Sequence, residues 1–217
     1  MARKIKLAVV TGGHPFNVPA FRDMFARMEG FDVYHQDLDN WAASKRDETY
    51  DLYDVFLFYN MNFWGIFSVR DDMEQRIRDA IAGLGESGQG IVVLHHALLS
   101  FVDMKAFTEV CGVEDRKLEG FGLSHIRTEI ADPGHPITAG LEPWEMDDEY
   151  FTIGMPNESC KVLLITSHPA STKALGWTHE LRNARVFCYQ SGHGPGAYTN
   201  ASYQTVLRRG IEWAARR

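Results

Sequence analysis

Short apolar runs broken by glycine and polar turns alternate with segments of helical period along most of the chain. Ile5 to Val10, Phe31 to His35 and Asp54 to Tyr59 read as strands. So do Ile91 to Leu94, Val162 to Thr166 and Ala184 to Gln190. The run at Ile91 is apolar at every position, as expected of a central strand covered on both faces. Between these runs, Phe21, Met24, Phe25 and Met28 recur at helical spacing over about Pro19 to Met28, with Asn17 placed to cap and Pro19 in the first turn. A second helix is predicted over Val69 to Leu84, with Met73, Ile77, Ala80, Ile81 and Leu84 inward and Glu74 paired with Arg78 outside. Further helices are predicted over Phe101 to Cys111 and Ser202 to Arg216. Gly120 to Ile130 alternates polar and apolar, which predicts a half-exposed, antiparallel strand at one side of the sheet. The Asp37 to Glu48 connection reads as a solvated acidic loop, and Met146 to Phe151 as a charge run before aromatics. Strands alternating with helices at both ends, around a strand-rich insertion, predict one α/β domain over 1–217 with a mostly parallel sheet.

In such sheets ligands sit past the carboxyl ends of the strands. Polar groups collect there in this chain: His14 after the first strand, Asn60-Met61-Asn62-Phe63-Trp64 after the third, and His95-His96 after the central one. Gln190-Ser191-Gly192-His193 follows the last. Asn60, Asn62 and Trp64 offer amide hydrogen bonds and a stacking surface suited to a sugar ring. Neighbours on a strand point to opposite faces, so at most one of His95 and His96 is expected to face the site if the strand continues that far. His95 is the one more readily read as bonding a neighbouring loop. Thr11-Gly12-Gly13-His14 matches no nucleotide-binding motif.

The formal net charge of −7 supplies no basic excess for nucleic acid. Cys111, Cys160 and Cys188 are far apart and form no Cys-x-x-Cys pair, which predicts reduced thiols in a cytoplasmic protein. No run is long enough to span a bilayer, and no apolar segment precedes the first strand. Exposed tryptophans suit a homo-oligomer interface as well as a pocket.

Four stretches in order resemble the ThuA-like (trehalose utilisation) family: Gly90-Ile91-Val92-Val93-Leu94-His95-His96, Gly134-His135-Pro136-Ile137-Thr138-Ala139-Gly140-Leu141, Asp148-Glu149-Tyr150, and Ala184 through His193. The closing Arg209 to Ala215 agrees with it. The resemblance implies a flavodoxin-like, class I glutamine amidotransferase-like fold and a role in carbohydrate metabolism, on trehalose or a related glycoside or keto-sugar. In amidotransferases a cysteine nucleophile stands on the elbow after the central strand. Here that elbow is His95-His96-Ala97, so the resemblance argues against glutaminase activity. The family's recurring polar positions match His14, His96, Asp148 or Glu149, and His193.

Histidines with a carboxylate can hold a divalent metal such as zinc or transfer protons. His96 and His193, with Glu149 or Asp148 as orienting carboxylate, are the expected catalytic groups. His14, Asn60, Asn62, Trp64, His95 and Gln190 are expected to contact a small sugar, and His14, His96 and His193 to bind any metal. A non-catalytic sugar-binding or regulatory module is the alternative.

Overall fold

The computed structural model describes residues 3–44, 49–62 and 71–217. Five strands form a parallel core: β1 (Ile5–Gly12), β2 (Phe31–Asp37), β3 (Val55–Asn60), β4 (Gly90–Leu94) and β9 (Ala184–Tyr189). Four more extend it antiparallel: β5 (Gly120–Ile130), β6 (Trp144–Thr152), β7 (Lys161–Ile165) and β8 (Ala174–Leu181). Among the described residues the order is β2-β1-β3-β4-β9-β8-β7-β5-β6. The expected insertion is therefore the antiparallel half of a mixed sheet.

Helices cover both faces of the parallel core. Helices α2 (Leu38–Ser44), α3 (Asp71–Ala82) and α4 (Lys105–Cys111) pack on one face through Trp41, Ile77, Ile81 and Phe107. Helices α1 (Val18–Ala26), α5 (Pro195–Tyr198) and α6 (Ala201–Ala214) cover the other through Phe21, Phe25, Tyr198, Val206 and Ile211. The parallel strands feed both layers, so β3 and β4 are buried at every position. Asn17 caps α1 by accepting the Ala20 N–H, as its spacing predicts.

Three readings change. The acidic connection contains α2, a helix of 7 residues held by the buried Leu38, Trp41 and Ala42. The charge run belongs to β6, where Trp144, Met146 and Asp148 point inward and Glu145 and Asp147 outward. Residues 101–104 precede α4 rather than joining it, because Phe101 adopts a left-handed φ of 50°. The predicted start of α3 at Val69, together with Phe63 and Trp64, lies outside the described residues.

The parallel strands all end on one edge. There β1 delivers His14, β3 delivers Asn60 and Asn62, β4 delivers His95 and His96, and β9 delivers Gln190 to His193. The antiparallel arm brings Asp148 and Glu149 to the same place from β6.

Candidate functional site

Strand β4 does not continue into the histidines. It stops at Leu94, and His95 to Leu99 form a 3-10 turn. His95 opens that turn at φ 51°, a left-handed conformation that strains a residue with a side chain. Alternation along a strand therefore no longer applies. Both imidazoles turn toward the site, their rings 5.1 Å apart; the expectation of only one holds for a strand that continues, and β4 ends at Leu94. The turn is held from behind by the buried Arg116. Its guanidinium donates to the carbonyls of Leu98, Ser100 and Phe101 and to Thr108 Oγ1. Nothing in the sequence marks Arg116 for this task, because three of its four partners are backbone carbonyls brought near by folding.

Three donor atoms meet in front of the elbow. His95 Nε2 lies 3.2 Å from His193 Nδ1 and 3.3 Å from Glu149 Oε2, and His193 Nδ1 lies 3.4 Å from Glu149 Oε2. Among the described residues this is the one group of potential ligands that converges. Two imidazole nitrogens and a carboxylate oxygen are ordinary zinc donors, and zinc–ligand bonds of about 2.0–2.1 Å in a tetrahedron put donors about 3.3 Å apart. The spacing fits. The surroundings fit as well: His95 Nδ1–H donates to the Gln190 carbonyl at 2.7 Å. That bond fixes the tautomer and leaves the Nε2 lone pair facing the group.

Electrostatics agree with this division of labour. Burial favours a neutral Glu149, but the hydrogen bond from His193 leads the effects that outweigh it and hold the carboxyl far below the usual range. Its hydrogen bond in turn raises His193, against the effect of burial. Asp148 has a different position. It is buried, and its carboxylate accepts the backbone N–H of Gly192 at 2.8 Å and of His193 at 2.9 Å. It ties the turn that carries His193, and burial pushes its carboxyl up.

His96 and His14 stand beside the triangle and outside it. Their rings are 4.6 Å apart, and His14 is 6.2 Å from the His193 ring. His96 Nε2–H donates to the Tyr59 carbonyl at 3.0 Å, which leaves Nδ1 as an acceptor. That Nδ1 is buried without a partner, as is His14 Nδ1. Burial, then the nearby histidines, hold both imidazoles low, so both are neutral bases.

The remaining candidates act through the frame. Asn60 is fully buried; its amide donates to Asn62 Oδ1 and Ser100 Oγ. Asn62 N–H donates to the same Ser100 hydroxyl, which ties the end of β3 to the elbow. The Gln190 side chain donates to the Phe151 carbonyl and to Ser171 Oγ, while its backbone oxygen holds His95. Trp64 lies outside the described residues. The three cysteines are free, none stands on the elbow directly after β4, and burial pushes the Cys111 thiol up to about 11.

The fold is an α/β one with a parallel core that matches class I glutamine amidotransferase-like structures, and His95 and His96 stand on the elbow after its central strand. Over its full length the chain superimposes on a glutamine amidotransferase from Thermotoga maritima, TM-score 0.62, at 6% identity and with all of that chain covered. It is also similar to a ThuA-like protein from Parabacteroides merdae, TM-score 0.73, 19% identity, covering 98% of this chain and 90% of that one. A ThuA-like protein from Bacteroides uniformis aligns with TM-score 0.75 and 17% identity, over 98% and 92% of the two chains. No curated protein matches the sequence. The model of the ThuA family, described as trehalose utilisation, matches residues 7–214, and the chain belongs to that family.

Proposed function

We propose that the protein is an enzyme of carbohydrate metabolism that uses a metal centre built by His95, Glu149 and His193 on a neutral sugar or keto-sugar, and that it is not a glutaminase. The convergence of those three donors at tetrahedral spacing carries the reading. A divalent cation held there supplies Lewis acidity to a sugar oxygen. Glu149 contributes the charge, and His95 and His193 orient it. His96 takes a proton through its buried, unpartnered Nδ1, because its other nitrogen is committed to Tyr59. The elbow has no thiol, and no cysteine has an environment that favours a thiolate. Among the described residues no helix is long and apolar enough to cross a membrane. We place the protein in the cytoplasm, with a small-molecule partner and no nucleic acid.

Metal analysis of untagged protein purified without chelator tests this. Wild type and His96→Ala are expected to carry near-stoichiometric divalent metal, and His95→Ala and His193→Ala to lose it. His96→Ala is expected to lose turnover on keto-sugars while keeping the metal. A metal-free wild type under metal-replete conditions overturns the metal centre.

A further inference from the structure

The mouth of the site carries an apolar wall that the folded chain itself does not use. Leu123 and Phe121 on β5 are 75% and 66% exposed, more than any other large hydrophobic side chain among the described residues. They are two residues apart and so share a face of the strand. The register sets that face. Leu123 pairs directly with Glu149, and Phe121 with Phe151, whose ring lies 5.6 Å from that of His95. Directly paired side chains in an antiparallel ladder stand on the same side. The wall is thus the continuation of the surface that presents Glu149 to the two histidines.

A cavity of about 530 Å³ lies against it. Leu123 lines one side, Pro195 and its flanking glycines another, and His193 connects the cavity to the candidate centre. Both sides are held in place. Gly122, between Phe121 and Leu123, lies against Tyr150, where a Cβ would come within 2.9 Å of the hydroxyl. The Tyr150 ring lies against that of His168, centroids 4.5 Å apart and tilted by 35°. Opposite, a Cβ on Gly196 would stand 2.2 Å from the Asp147 carbonyl, so that turn is pressed onto β6. Ser124, His125, Asp147, Asp148 and His193 also line the cavity, but most of its surface is apolar, and such a slot takes a flat or compact apolar group against Leu123 and Pro195. The carboxylates of Asp147 and Asp148 on the same cavity disfavour an anion.

We infer that the Leu123–Pro195 slot is a specificity subsite for the uncharged, hydrophobic aglycone of a glycoside whose sugar sits at the His95–Glu149–His193 centre. This deepens the proposed function and rests on it for the sugar half alone. Leu123 is three-quarters exposed, so Leu123→Ser is expected to leave the fold in place.

The test is titration of zinc-supplemented and chelator-treated protein with phenyl β-D-glucoside and with methyl β-D-glucoside. The phenyl glucoside is expected to bind wild type about tenfold more tightly, the order of gain from covering one such side chain. Leu123→Ser is expected to remove that preference and leave the methyl glucoside unchanged, and Phe121→Ser to reduce it. Equal binding of the two glucosides to wild type overturns the subsite. So does a preference that survives in Leu123→Ser, or a Leu123→Ser effect that appears only as a loss of self-association. The two readings separate by metal: a phenyl preference in protein that takes up no zinc supports the subsite and removes the metal centre. Zinc uptake without a phenyl preference does the reverse.

Discussion

The tautomers of the site histidines are set by carbonyl groups. The Gln190 oxygen binds His95 Nδ1–H and the Tyr59 oxygen binds His96 Nε2–H, so one imidazole offers Nε2 and its neighbour offers Nδ1. Two adjacent histidines thereby acquire different tasks, one in the triangle and one beside it. Other histidines serve stability instead. His35 packs edge-on against Phe21 and Phe25, and burial, then the charge of Arg22, holds it low. Its folded pKa is thus below the unfolded one near 6.5. Between the two values the unfolded chain holds a proton that the folded chain does not, so stability falls as pH drops below about 6.5. Denaturant titrations at pH 7 and pH 5.5 are expected to show a smaller loss for His35→Gln than for wild type. The difference is at most about 1.4 kcal/mol per pH unit, reduced by the ring's partial exposure.

Elements place these residues through close backbone contacts. β4 must lie against α6, and Gly90 makes that possible: a Cβ there would stand 2.5 Å from the Ala214 carbonyl oxygen. Gly90→Ala is expected to lower stability by about 1–3 kcal/mol with an unchanged denaturant slope, since the cost is overpacking in the folded state. The turn after β9 depends on β6 in the same way. Asp148→Ala leaves the Gly192 and His193 N–H groups without their acceptor, which is expected to cost about 1–3 kcal/mol and to weaken zinc binding through His193. Chemical denaturation and a zinc titration of the same preparation read both effects. β6 itself was hard to see in the sequence because Asp148 interrupts its apolar face, and a carboxylate there is explained only by the backbone donors it meets. α2 was missed for a related reason: 7 residues carry little periodicity, and its helix is held by the burial of Trp41 rather than by propensity.

At the scale of the molecule, the proposed centre draws its donors from β4, β6 and the turn after β9, so a metal bound there is expected to stabilise the fold, because the unfolded chain cannot form it. Free zinc at about one hundred times its dissociation constant is expected to add about 2.7 kcal/mol, reversed by chelator and absent in His193→Ala, as read by thermal unfolding. The same chain incubated with glutamine is expected to release no ammonia, since histidine occupies the elbow. Much of this architecture was legible in the order of apolar runs. β1, β3, β4 and β9 announce themselves because strands covered on both faces must be apolar throughout. Their carboxyl ends then mark where His14, His96 and His193 gather. The sequence by itself determined the α/β class, the strands of the parallel core, the missing thiol and the edge on which the site lies, because each follows from local pattern and residue identity. Only the tertiary structure decided that His95 joins Glu149 and His193 while His96 and His14 stand aside, that Asp148 holds backbone, and that Asn60 and Gln190 brace the frame. Those outcomes depend on one left-handed residue after β4 and on contacts between distant segments, such as His95 and His193, 98 residues apart, which no local pattern encodes.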